Sequence, residues 1–206
     1  DGLQAPLGVR AAHGVSCCMD PKEEALKLLQ EDWEQWRRDI VRLGSQSVVW
    51  LDPQWFELEP LLKTYRECGW HAERLVFPAK PNDKNVMDLF ARQLQWPDWV
   101  GRNYNGFDDW ITEVFDTFGT EKCCLALDFS QSAFWPGAAH LLDGLLMNTE
   151  HMRSVYLQEF EIGGVCRNEL AVIWYSSPEV LPKSPSSRGM GMILRNAPSR
   201  PWRYGA

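Results

Sequence analysis

Leu29, Trp33, Trp36, Ile40 and Leu43 recur in alternating steps of four and three, the spacing of one apolar stripe on a helix. Asp20 is placed to cap that helix, Pro21 suits its first turn, Glu23 gives a capping-box spacing, and Gly44 is placed to end it. "SQSVVWLDP" then reads as a short buried strand stopped by Pro53. "FELEPLLKTYRECGW" reads as a helix with Leu58, Leu61, Leu62 and Tyr65 inward, running until Gly69. "AERLVFPA" is a second strand, and "DKNVMDLFARQLQ" a helix with Val86, Leu89, Phe90 and Leu94 on one face, closed by Pro97. "KCCLALDFS" is nearly continuous in apolar residues, as in a strand covered on both faces, and a short helix is expected from about Pro136 to Met147. "SVYLQEFEI" and "ELAVIWYSS" read as two strands of a hairpin turned by "GGVCRN". Strands alternating with helices predict an α/β fold, a small and mainly parallel sheet flanked by helices in two or three layers.

With 206 residues, 45% of them hydrophobic, the chain is long enough for a substantial core. The formal charge of -7 disfavours nucleic acid and anionic membranes as partners and favours a basic one. The eleven tryptophans suit core and interface alike. The six cysteines include two adjacent pairs, Cys17 with Cys18 and Cys123 with Cys124, and no C-x-x-C spacing, which argues against a zinc or redox site. There is no basic leader followed by an apolar stretch, and no apolar run approaches the ~20 residues of a membrane helix. The expectation is therefore a cytoplasmic protein with reduced thiols and no cofactor. Residues 1–18 lack periodicity and Met19 stands immediately before a helix start, so a disordered leader over residues 1–19, or non-native translation ahead of Met19, is expected. From Pro178 the chain turns Pro, Ser and Arg rich, with no acidic residue after Glu179, and reads as a tail.

The segment "QLQWPDWVGRNYNGFDDWITEVFDTF" carries the candidate chemistry. On a helical wheel Phe107, Trp110, Ile111, Val114, Phe115 and Phe118 share one stripe. Asn105, Asp109 and Asp116 fall opposite, with Thr112 and Glu113, and Asp108 lies on the flank. Such a face is often no more than a solvated surface. Trp96 and Trp99, in the loop before it, are expected to sit beside the acids, and aromatic anchors next to carboxylates suit recognition of a cationic cleft.

At these residues the chain resembles the barstar family of intracellular ribonuclease inhibitors. In "WPDWVGRNYNGFDDWI" the residues Trp96, Pro97, Trp99, Gly101, Asn103, Phe107 and Asp109 follow the family pattern in order and without a gap. The resemblance spans roughly residues 72–176. It implies a barstar-like fold and inhibition by mimicry, in which an acidic helix and its aromatic loop block the basic active site of a secreted guanyl-type ribonuclease. Asp109 would then be the central acid, Trp99 the stacking aromatic in place of the usual tyrosine, and Gly101 and Asn103 the residues that shape the loop. Three positions depart from the pattern. Asn105 stands where the family has aspartate, Gly106 replaces alanine, and Asp108 takes a position often held by tryptophan. The family also uses a glutamate from a later helix, for which Asp143 is the nearest candidate.

The domain reading that follows is an extension at 20–71, a barstar-like domain at 72–177 and a tail at 178–206, monomeric when free. A second reading keeps the fold and gives it another toxin or partner. A carboxylate-based hydrolase fits poorly, because acids side by side on one helix do not face each other across a substrate. No H-E-x-x-H, G-x-S-x-G or Walker pattern occurs.

Overall fold

The computed structural model describes residues 33–41, 47–54, 56–161 and 168–182. Helix α1 (residues 33–41) precedes β1 (Ser47–Leu51), α2 (Leu58–Glu67), β2 (His71–Val76) and α3 (Asp83–Gln93). Then come α4 (Tyr104–Trp110), a 3-10 turn (Ile111–Glu113), α5 (Val114–Phe118), β3 (Lys122–Asp128), α6 (Ala138–Glu161) and β4 (Glu169–Tyr175). The expected leader, most of the expected tail, and Leu29, Leu43 and Gly44 of the first helix lie outside the described residues.

The four strands form one parallel sheet in the order β1-β4-β3-β2. The central strands β3 and β4 are buried along almost their whole length, which is why their sequences read as apolar runs rather than alternating ones. β1, expected to belong to an amino-terminal extension, pairs with β4 along its full length.

Sheet alternation separates two cores. Leu75, Leu125, Leu127, Val172 and Trp174 face α3, α4 and α6, whereas Ala72, Cys124, Ala126 and Ala171 face α1 and α2. Small residues on the second face let Leu62 and Tyr65 of α2 approach the sheet closely; both are fully buried. Ile40 and Val41 bring α1 onto the same side. Cys123 and Cys124 lie in different cores and are both free thiols.

The helix edges follow local chemistry. Asn82 and Asn85 exchange side-chain and backbone hydrogen bonds as a capping box for α3 (2.8 and 3.0 Å). All four predicted inward residues of α3 are buried. The helix stops before Pro97 is reached, at Leu94, where Gln95 turns the backbone at φ +52°. Gly69, at φ +84°, supplies the left-handed turn after α2.

The expected hairpin strand is different. Residues 154–161 continue α6 rather than forming a hairpin strand, so the sheet is wholly parallel. β4 already has β1 on one side and β3 on the other, leaving no edge for an antiparallel neighbour. Extending an existing helix adds a hydrogen bond for each residue fixed, and no Gly or Pro interrupts the run before Gly163. Among the described residues no helix is long and apolar enough to cross a membrane.

Candidate functional site

The segment expected to be one helix is two, α4 and α5, joined by the tightened turn at Ile111–Glu113. The apolar stripe holds at Phe107, Ile111, Val114 and Phe115, all buried. Trp110 and Phe118 are only partly covered, and Phe118 stacks on His71 with ring centroids 4.2 Å apart. Glu113, the last residue of that turn, is half-buried.

Asn103 opens α4 as its N-cap, its side chain accepting from the Gly106 backbone N–H at 3.0 Å. The preceding loop folds back onto this first turn. The Gly101 carbonyl accepts from the Asn103 backbone at 2.9 Å and lies against the Gly106 Cα. A side chain at Gly106 would meet that carbonyl group, which accounts for glycine at this position. Arg102 leaves the loop towards α3, where it pairs with Asp88 at 3.1 Å. Tyr104 turns inward, its hydroxyl within hydrogen-bonding reach of Asp83 on α3 (2.8 Å) and the Gly137 carbonyl ahead of α6 (2.9 Å). Burial, with the Asp83 carboxylate second, raises the Tyr104 pKa, keeping the hydroxyl protonated as a clasp between three elements.

Asp109 and Asn105 are exposed on the outer side of α4, and neither is covered by α1, which packs on the opposite face of the sheet. Trp99 is 78% exposed and meets the flank of Trp110 edge-on, centroids 5.5 Å apart. Trp96 does not join it. Its ring is buried in the core near Phe107, because the chain after α3 turns inward at Gln95 before emerging at Asp98.

Asp108 leans towards α6 and accepts from the Asn148 side-chain amide at 3.2 Å. Burial raises its pKa, the Asn148 hydrogen bond opposes the shift, and the neighbouring Asp109 charge adds to it. Asp143, half-buried on α6, precedes Gly144, whose Cα packs against the Asp108 carboxylate. The structure thus gathers Trp99, Gly101, Asn103, Asn105 and Asp109 on one surface, turns Asp108 to its border with α6, and leaves Glu113 half-buried in the 3-10 turn that follows α4. Sequence reasoning missed Asn148 as the partner of Asp108. It also missed Met147, 63% exposed on the neighbouring turn; an apolar residue on the outer stripe of α6 was the available signal.

Among the described residues no group of three or more His, Cys, Asp or Glu side chains is placed to hold a metal ion. Comparison with protein-family models, with curated proteins and with solved structures returned no match.

Proposed function

We propose that the outer side of α4 and the loop before it form a protein-binding surface for a basic partner, in the first instance the active-site cleft of a guanyl-type ribonuclease. The supporting observation is the exposure of Asp109 beside the projecting Trp99, on a helix anchored from behind by fully buried Phe107 and Ile111. A ribonuclease collects cationic side chains around a phosphodiester, so a rigid carboxylate surface is steered to that cleft and excludes RNA from it. The barstar resemblance supports the same reading, since α3, the loop and α4 run between β2 and β3 in the order that it implies. Such an inhibitor acts inside the cell that makes the enzyme.

Arg102 and Asn105 favour a second reading, a related toxin of different charge pattern. Asn105 removes a charge from the outer side of α4, and Arg102 adds a cation, 58% exposed, to the loop. Titrating the purified protein into a small basic guanyl-type ribonuclease, with RNA cleavage as readout, tests the first reading. Complete inhibition at one equivalent is expected, and undiminished cleavage at excess inhibitor rejects it.

A further inference from the structure

The outer surface of α4 is too small to hold a partner alone. A stable protein interface takes about 800 Å² from each side. α4 has seven residues, of which Asn105 and Asp109 are the fully outward ones. The binding face must extend to a neighbouring element, and the exposed apolar side chains indicate which.

Among the described residues the exposed large hydrophobics are Val76, Trp99, Phe134 and Met147. Trp99 stands on the Trp110 flank of α4. Met147 stands on the other flank. On α6, Leu141, Leu142, Leu145 and Thr149 are buried, and Gly144 and Asn148 face Asp108. Three helical steps of 100° from Gly144 place Met147 about 60° further round, on the shoulder that rises beside α4. His140 occupies the same shoulder one end nearer the helix start, its ring 5.6 Å from that of Tyr104. The order across the surface is therefore Met147, Asp108, Asn105, Asp109, then Trp110 and Trp99. Val76 lies apart on the edge strand β2, pointing to the α2 side because its neighbour Leu75 points to the other.

We propose that Met147 is a partner-contact residue, so that the surface presents its acids between two apolar posts, Trp99 and Met147. This rests on the ribonuclease-inhibitor reading. The partner it fits has a cationic centre with apolar ground on both sides, so that Trp99 and Met147 exclude water from the charge pairs between them. An exposed methionine is suited to this, since its flexible thioether adapts to an irregular partner surface at no cost to the fold of the free protein.

The test compares inhibition of a small basic guanyl-type ribonuclease by the full chain, by Met147→Ala, by Trp99→Ala and by Val76→Ala, with thermal melts of each. Met147→Ala is expected to inhibit about tenfold less tightly, the loss of an apolar contact that keeps water from the charge pairs beside it. Trp99→Ala should lose at least as much, Val76→Ala should stay within about twofold of the parent, and the melts should coincide. Inhibition by Met147→Ala within twofold of the parent, while Trp99→Ala is impaired, would overturn the extension to α6 and leave the ribonuclease reading standing. Equal losses in the Met147 and Val76 variants would overturn it as well. A parent chain that does not inhibit removes both.

Discussion

Replacing Gly106 by alanine should destabilise the protein, although the same change inside a helix ordinarily gains about 1 kcal/mol. An added Cβ would lie 2.9 Å from the Gly101 carbonyl carbon and closer still to its oxygen. Both partners are backbone, so no rotamer change relieves the contact and the loop must move. Overpacking of this kind costs roughly 1–3 kcal/mol. Displacing the loop also strains the Asn103 cap, whose loss costs about 1 kcal/mol. Setting the propensity gain against these leaves a net loss of roughly 1–3 kcal/mol. Urea unfolding followed by circular dichroism measures it, with Asn105→Ala as the control on the same turn. Asn105 is exposed, so that variant should be unchanged or slightly stabilised. A Gly106→Ala protein as stable as its parent would show that the loop yields freely, and that Gly101 does not hold Trp99 and Asn103 in register with α4.

Two further outcomes separate scaffold from surface. Phe107 is fully buried, so Phe107→Ala should cost roughly 3–5 kcal/mol in denaturant unfolding. Phe118 is partly exposed and rests on His71, so its truncation should cost roughly 1–2 kcal/mol, and equal losses would contradict the packing described. Asp108 titrates above its ordinary value of 3.8, chiefly through burial, so the folded protein holds this proton more tightly than the unfolded chain. Ionised Asp108 therefore lowers stability at neutral pH, and that penalty fades as pH falls through the folded value towards and below 3.8. Asp108→Asn keeps an acceptor for Asn148, and its stability relative to the parent should rise with pH across that window and level off above it. Paired melts over a pH series measure this difference; one that is constant, or that grows as pH falls, would refute the assignment.

Much of the fold was legible because single faces are strongly patterned. The inward residues of α2 and α3 sit at helical spacing, and β3 and β4 are apolar along most of their length because both faces are covered. The continuation of α6 was not legible. "SVYLQEFEI" supports either period, and the deciding fact, that β4 has both edges taken, belongs to the tertiary structure. In the candidate site the sequence led to Asp109 and Trp99 but misplaced Trp96. Its position depends on a positive φ at Gln95, a residue type that gives no such signal. The 3-10 turn between α4 and α5 was likewise not legible, because the apolar stripe runs through it unbroken. Gly106 is explained only by the fold, through the Gly101 carbonyl that lies against it.

The surface has a physical logic independent of its partner. Asn105 and Asp109 are held outward because Phe107 and Ile111 fix the helix from behind, while Asn103 and Gly106 lock its first turn to the loop. A preorganised charged surface loses little side-chain freedom on binding, which favours affinity as well as steering. The most direct measurement is the affinity of Asp109→Ala for a guanyl-type ribonuclease by calorimetric titration, beside its thermal melt. A loss of at least roughly 30-fold, the equivalent of about 2 kcal/mol, is expected with an unchanged melting temperature. Binding as tight as that of the parent, or a melt lowered in step with affinity, would contradict a recognition role for this carboxylate.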